Sequence, residues 1–315
     1  MIRRLVVRLV IGLATVWAAC TLVFFGVETL PGDAAQAALG PHAPAQLVRD
    51  TRKEFGLDKP ILRRYGDWLL GFARGDLGRS LPSGTAVTSV IGDKIRDTAF
   101  LAAATILILV PLGVGLGIAT AVRRDRLLDH VVASTTLALI STPEFVIGTL
   151  LAVALAVWVR WLPPVSLIDS SRSIFGQIDA IALPVLTLLA ASSAQMIRMV
   201  RASMIDVLGA DFVEMARLKG VPERRLLLRH ALPNALAPTI QVIAINIAWL
   251  TGGIVVVEFV FQYPGLGSTL AQAVSQRDLP TVEAVTAIFA AVYVGVNLLA
   301  DIAVILLNPR LRRTA

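Results

Sequence analysis

The chain of 315 residues is poor in the residue types that build most catalytic and metal centres. Its single cysteine, Cys20, excludes a disulfide within the chain and a cysteine-based metal cluster. The three histidines, His42, His130 and His230, lie far apart and show no metal-ligand spacing. None of the few lysines lies in a G-x-x-x-x-G-K-[ST] segment, the loop that cradles nucleotide phosphates. We therefore expect no catalytic residue, metal or cofactor on this chain.

Charged residues are also scarce. They make up 16% of the chain, against about a quarter in ordinary globular proteins, and the mean hydropathy is +0.75. A helix needs about 20 mostly apolar residues to cross a bilayer. Six stretches approach this length: 7–27, 99–122, 131–158, 178–199, 238–260 and 284–307. The sequence therefore predicts an all-α integral membrane protein with six transmembrane helices, of which the fourth is weakest because Pro184 and polar residues at 192–195 dilute it.

The net charge of +7 comes from basic residues that fall mainly in the gaps between the apolar stretches. This distribution favours membrane orientation over nucleic-acid binding, because positive residues accumulate on the cytoplasmic side. The basic residues concerned are Arg3, Arg4 and Arg8; Arg123, Arg124 and Arg126; Arg201, Arg217, Lys219, Arg224, Arg225 and Arg229; and Arg310, Arg312 and Arg313. With six spans they all lie on one side, so both termini are predicted to be cytoplasmic.

Three regions are predicted: a first transmembrane helix over 1–28, an external helical subdomain over 29–97, and a five-helix core over 98–310. The external loop is long enough to cross the membrane despite its basic residues. Within it, Asp58 is a candidate N-cap and Pro60 a candidate first helical residue. One apolar face at helical spacing follows: Ile61, Tyr65, Trp68, Leu69 and Phe72. This helix either lies against the membrane or a partner, or packs on the protein's own spans.

A charged segment, "EMARLKGVPERRLLLRHALPNALAP" (214–238), interrupts the apolar sequence after span four, and most of it lies in the predicted loop over 203–235. Its first helix carries a narrow apolar stripe formed by Phe212, Met215, Ala216 and Lys219. Gly220 suits the position after a helix end, where φ is positive. Pro222 is expected to restart a second helix, and Pro233 to stop it. Two short helices joined at a glycine form a surface that can dock into a groove on another protein.

The spacing of Glu214, Ala216, Gly220 and Leu232-Pro233 resembles the EAA loop of ABC importer permeases, with Met215 in place of the first alanine and His230 at an isoleucine position. Three further segments resemble the peptide/nickel permease family: "LPGD" with "GLDKPILRRYGDWLLGFARGDLGRSL", "EFVFQYPGLG" and "NLLADIAVILLNPRLR". The first span followed by a long external segment is most similar to the B-type subunit of dipeptide and oligopeptide importers.

The resemblance implies a type I ABC importer permease fold in the bacterial cytoplasmic (inner) membrane, surrounded by lipid. It implies three kinds of protein partner: a second homologous permease subunit forming a heterodimer, two cytoplasmic ATPase subunits that hold ATP and Mg, and an external substrate-binding protein. The substrate would be a di- or oligopeptide, or alternatively a nickel chelate, haem or glutathione. The residues implied in coupling to the ATPase are Phe212, Glu214, Met215, Ala216, Lys219, Gly220, His230 and Pro233.

A few polar residues fall inside the predicted spans. Glu144 lies near the middle of span three, where ionisable groups are costly. It is either a substrate-path residue or a structural partner, for the backbone freed by Pro143 or for a neighbouring subunit. Asn246 and Gln241 in span five either line the path or hydrogen-bond between helices. Glu258 and Asp301 are expected to have structural roles. A secondary transporter would show inverted repeats, and a membrane enzyme would show a clustered nucleophile and base; the sequence shows neither.

Overall fold

A computed structural model describes residues 2–29, 32–40, 42–168 and 174–307. Within these ranges the regular secondary structure is helical, apart from one isolated bridge between Arg79 and Ala86. The α-helices are α1 (Ile2–Glu28), α2 (Ala34–Leu39), α3 (Ala45–Glu54), α4 (Ile61–Ala73), α5 (Val87–Val122), α6 (Leu127–Ile140), α7 (Glu144–Ala152), α8 (Ile178–Leu208), α9 (Asp211–Leu218), α10 (Glu223–Leu226), α11 (Leu232–Val260), α12 (Leu266–Gln276) and α13 (Leu279–Leu307). The predicted basic residues Arg310, Arg312 and Arg313 lie outside the described residues.

Among the described residues, five helices are long and apolar enough to cross a membrane: α1, α5, α8, α11 and α13. Taken together, Leu127–Ile140 and Glu144–Trp158 are also long and apolar enough and form a sixth candidate span, but their two parts meet at 105°. The prediction of an all-α membrane protein is therefore confirmed, but the uninterrupted third span over 131–158 is wrong. Pro143 lies at the break, because proline lacks an N–H and disfavours helical geometry in the residue before it.

Helices α5 and α8 form the centre of the protein, and they approach closely because two glycines face two large side chains. A Cβ on Gly113 would lie 2.5 Å from Met196 Sδ, and one on Gly117 would lie 2.7 Å from Val200 Cβ. Small residues four apart allow this contact in membrane helices, where packing rather than hydrophobicity drives association. The fourth predicted span is confirmed, and Pro184 is accommodated inside α8.

The largest buried cluster surrounds this helix pair and extends to α11. Its members include Leu101, Leu109, Leu183, Leu188, Met196, Val242, Leu250, Phe261 and Tyr263. By contrast, only 17% of the most apolar window of α1 and 11% of that of α13 are buried. These two helices pack on each other at the periphery, so they leave broad apolar faces for lipid or another chain.

Helix α4 packs on the end of α1 through aromatic side chains, which answers the alternative left open by its sequence. The ring of Phe24 lies 5.3 Å from that of Tyr65 and 6.0 Å from that of Trp68. The hydroxyls of Tyr65 and Thr21 lie 2.8 Å apart. The α2–α4 subdomain (residues 32–40 and 42–73) is therefore held against the first span of its own chain.

One expectation about this region is corrected. Asp58 is not the N-cap of α4, because Pro60 takes that position and Asp58 instead accepts a hydrogen bond from Arg52 Nε at 2.8 Å. In addition, α5 begins at Val87, whose side chain is fully buried, and runs unbroken past the predicted region boundary at residue 98. One continuous helix thus joins this part of the chain to the membrane core.

The buried carboxylate of Glu258 fastens α12 to α11 and α5. It accepts hydrogen bonds from Thr98 Oγ1 at 2.6 Å, Gly267 N at 2.6 Å and Ser268 N at 3.2 Å. Two of these donors are orphan amides at the start of α12, where negative charge is favoured. A Cβ on Gly265 would lie 2.1 Å from this carboxylate, so the close approach requires glycine. The structural role predicted for Glu258 is confirmed.

Tyr263, just after α11, ties that helix to α5. Its hydroxyl donates to the carbonyl oxygen of Asp97 at 2.6 Å, and burial raises the pKa of this hydroxyl.

Asp301 on α13 forms an ion pair with Arg8 on α1. This contact confirms the structural role predicted for Asp301.

Candidate functional site

The coupling loop (residues 203–235) contains a sharp joint at Gly220, which has φ of +74°. The N–H of Gly220 donates to the carbonyl of Arg217 at 3.0 Å, and that of Val221 donates to the carbonyl of Ala216 at 3.2 Å. This pair of hydrogen bonds is a Schellman motif, in which the residue after the helix end adopts the left-handed conformation. The predicted conformation of Gly220, a positive φ just after a helix end, is confirmed.

Two apolar residues that the sequence pattern did not single out anchor the loop to the body of the protein. Val213 on α9 and Leu226 on α10 are both fully buried. An ion pair between Arg217 Nε and Glu223 Oε1, 2.8 Å apart, links the two short helices across the glycine joint. Because both ends are anchored, α9 and α10 form one compact unit.

Three large hydrophobic side chains of α9 are exposed: Phe212 (46%), Met215 (53%) and Leu218 (77%). Glu214 and Lys219 are also exposed, and Ala216 is half-buried. The predicted stripe residues Phe212 and Met215 are therefore not covered by the protein's own chain, and Leu218, three residues after Met215, adds to them. Exposed large hydrophobic side chains beside charged ones are typical of a protein-binding surface.

Pro233 does not end the second helix, so this expectation was wrong. The chain passes from α10 through a π-helical turn, Leu227–Ala231, directly into α11, where Pro233 is exposed in the first turn. A widened π turn removes the backbone conflict that a proline creates with the preceding turn. His230 lies in this turn, and its carbonyl accepts a hydrogen bond from Asn234 Nδ2 at 2.6 Å.

A polar cavity of about 220 Å³ lies where the bent helix pair meets α8 and α11. Its polar lining consists of Thr142, Glu144, Ser192, Gln195 and Asn246, and its apolar lining of Leu139, Ile140, Ala191 and Trp249. The polar residues that weakened the fourth predicted span thus include two that face this cavity. Ser192 and Gln195 were not predicted as site residues, although their polar side chains interrupt the apolar pattern of the fourth span and could have pointed to a site.

Glu144 is the first residue of α7, immediately after the bend. Its carboxylate packs against Gly253 of α11, where a Cβ would lie 2.7 Å from Oε2. Among the described residues none donates a hydrogen bond to this half-buried carboxylate. Glu144 therefore does not satisfy the backbone freed by Pro143, which was one of the two structural roles left open for it.

The other two predicted path residues differ from each other in position. Asn246 lines the cavity, but it is 4% exposed and its Nδ2 donates to the carbonyl of Val242 at 2.8 Å. Gln241 lies on an exposed face of α11 outside the cavity lining. The structure therefore brings Asn246, but not Gln241, together with Glu144.

In the described part of the chain, no three His, Cys, Asp or Glu side chains cluster as metal ligands would.

The sequence matches two families over nearly its whole length. Residues 113–313 match the binding-protein-dependent transport system inner membrane component, and residues 1–116 match the N-terminal region of membrane components of such systems. The glutathione transport system permease protein GsiC of Escherichia coli O6:H1 (strain CFT073) is 36% identical over 308 residues, 98% of each chain. The GsiC proteins of Escherichia coli K12 and Salmonella choleraesuis (strain SC-B67) are each 35% identical over the same length. The first family match includes both the coupling loop and the polar cavity.

Proposed function

Because the chain belongs to the family of inner membrane components of binding-protein-dependent transport systems, we propose that it forms half of the pathway of a short-peptide importer. The family and the GsiC relatives identify it as an ABC importer permease of the peptide/oligopeptide/nickel type. The substrate and the partner subunits are the parts of this assignment that require argument and experiment.

The coupling loop is the proposed contact with an ATPase subunit. A connector between two spans needs no exposed apolar patch, whereas Phe212, Met215 and Leu218 present one on a firmly anchored unit. An apolar helix face of this kind binds in a groove of a partner. In this arrangement the loop is cytoplasmic, both termini are cytoplasmic, and the α2–α4 subdomain faces the binding protein outside.

The polar cavity is the proposed place where the substrate passes this subunit. The observation that carries the proposal is the Glu144 carboxylate, which has no hydrogen-bond donor among the described residues and borders a cavity with Gln195 and Asn246. A half-buried charge without a partner is also unfavourable, although less so than a fully buried one, and the ammonium group of a peptide would supply a partner. The contact is brief, since a carrier that binds cargo tightly at mid-membrane releases it slowly.

Glutathione is the second candidate substrate, because the relatives at 35–36% identity are named as glutathione permeases. Glutathione is itself a tripeptide with a free ammonium group, so the same contact with Glu144 would serve it. The two candidates differ in how their first residue is linked to the second. We expect the binding protein, rather than this chain, to distinguish between them.

Uptake by the assembled transporter tests the proposal. Glu144→Gln should lower uptake of trialanine and of glutathione by roughly 10- to 100-fold, because hydrogen bonds to charged groups contribute about 1.5–3 kcal/mol. N-acetylated trialanine should be affected less. Gln241→Ala, on α11 but outside the cavity, is the matched control and should leave uptake unchanged.

Three results would contradict the proposal. If Glu144→Gln prevents the subunits from assembling, Glu144 is a structural partner. If it lowers uptake of blocked and free peptides equally, Glu144 does not recognise the ammonium group. If only nickel chelates or haem are imported by the wild-type transporter, the substrate class is wrong while the permease assignment stands.

A further inference from the structure

A second cavity, of about 290 Å³, shares no lining residue with the polar cavity at Glu144. Most of its walls come from the end of α1, the α2–α4 subdomain and the start of α13, and Leu81 and Arg277 complete them. The residues that contribute include Phe24, Glu28, Arg52, Trp68, Pro280 and Glu283. Its volume is close to the lower end of the range for small-molecule pockets.

The basic side chains in this cavity already have partners. The ion pairs are Arg64 with Glu28 (2.6 Å), Arg52 with Asp33 (2.6 Å) and Lys59 with Asp67 (3.0 Å). Arg64 uses both of its terminal nitrogens on the Glu28 carboxylate. Arg277 donates to the carbonyl oxygen of Gly32 at 3.2 Å. The cavity therefore has little unused positive charge with which to attract an anion.

Glu283 on α13 is the exception among the charged groups of this cavity. It is 2% exposed, and its Oε1 has no hydrogen-bond partner in the described part of the protein. Leaving a buried polar atom unpaired is unfavourable, and an unpaired charge more so. The group that the cavity lacks is therefore a hydrogen-bond donor, and the one best suited to a carboxylate carries positive charge.

The rest of the lining favours an organic cation over a metal ion. Phe24, Phe55 and Trp68 contribute aromatic rings, which attract ammonium groups through their negative faces. The rings of Phe24 and Trp68 lie 6.0 Å apart. Glu283 belongs to no cluster of three His, Cys, Asp or Glu side chains among the described residues that could hold a metal.

We propose that this cavity binds a small molecule, or a lipid headgroup, through a primary ammonium group held by Glu283. The site is separate from the Glu144 cavity and from the coupling loop, so it goes beyond the proposed transport function. Because its walls belong to α1, the α2–α4 subdomain and α13, an occupant would tie these three parts together. Binding should therefore also raise the thermal unfolding temperature.

Equilibrium dialysis of the full chain in phosphatidylcholine nanodiscs tests the proposal with radiolabelled glycinamide as the probe. Wild type should bind glycinamide saturably and N-acetylglycinamide, which has no ammonium group, at least about tenfold more weakly. Glu283→Gln should weaken glycinamide binding by at least about tenfold, and Glu283→Asp should weaken it less. Glu54→Gln, an exposed substitution in α3 outside the cavity, should leave it unchanged.

Replacing part of the lipid by phosphatidylethanolamine separates the two sources of the ammonium group. Competition with glycinamide identifies the lipid headgroup, and undiminished binding identifies a free amine. The proposal is overturned if wild type shows no saturable binding in phosphatidylcholine, if Glu283→Gln binds as well as wild type, or if the acetylated probe binds equally. A melting curve of each variant without ligand shows that lost binding is not lost folding.

Discussion

A substitution at Gly220 changes the backbone conformation of the coupling loop without disturbing its side-chain contacts. An ideal Cβ at this position would have no heavy atom within 4 Å, so a side chain there meets open space. The only penalty is the backbone, because φ is +74°, a region that side chains with a Cβ disfavour. A substitution at this position therefore tests only whether the left-handed backbone conformation of Gly220 is needed.

The size of the effect follows from the two ways in which the chain could respond. If an alanine stays in the left-handed conformation, the penalty is roughly 1–2 kcal/mol, and the β-branched side chain of valine raises it. If the chain instead leaves this conformation, it loses the hydrogen bonds from Gly220 N and Val221 N, at about 0.5–1.5 kcal/mol each. Because the chain takes the less costly route, a penalty of about 1–2 kcal/mol lowers the ratio of native to altered loop roughly 5- to 30-fold for alanine.

The assay is ATP-driven uptake in proteoliposomes, measured beside the amount of chain inserted in the membrane. We expect Gly220→Val to abolish most uptake, Gly220→Ala to lower it and Gly220→Asn to retain it, since asparagine tolerates the left-handed region. Insertion should be unchanged in all three. Normal uptake by Gly220→Val would refute the reasoning and leave the loop as a simple connector.

Two further predictions concern the orientation and the stability of the chain. Cysteines placed at the exposed positions Ser83 and Glu223 should react with an impermeant reagent from opposite sides of the membrane, while Cys20, which is 2% exposed, stays silent; labelling from one side would exclude the proposed orientation. Glu258→Gln should lower the unfolding temperature in detergent, because a buried donor loses its acceptor at about 1–3 kcal/mol. Glu214→Gln, at an exposed site, should change it little, and equal stability of the two variants would contradict the role of Glu258.

The positions of the spans could be predicted because each is a long apolar segment, and apolar length is a property of the sequence alone. The joint at Gly220 could be predicted for a similar reason, since a glycine directly after a helical pattern indicates a helix end with positive φ. Pro233 shows the limit of such local rules. A proline ends a helix only if no π turn widens the backbone before it, and the sequence does not show that turn.

The members of the polar cavity could be predicted only in part. Glu144 stood out because a carboxylate is rare in an apolar run, but its neighbours depend on the bend of 105° between α6 and α7. In the sequence, Ser192 and Gln195 only make the fourth predicted span less apolar. The structure shows that they line the cavity. Val213 was missed because an apolar residue in a short helix can face either way, and only packing decides which.

The coupling loop and the polar cavity are connected through the same two helices. The loop lies between α8 and α11, and these helices supply Gln195 and Asn246 to the cavity. Met204 and Ala231 are both buried in a cluster that holds the loop end of α8 against the start of α11. From Gly209 to Gln195 the helix rises roughly 20 Å at 1.5 Å per residue. A displacement of the loop by a partner would thus move two walls of the cavity together, which is the mechanical link that the proposed import cycle needs.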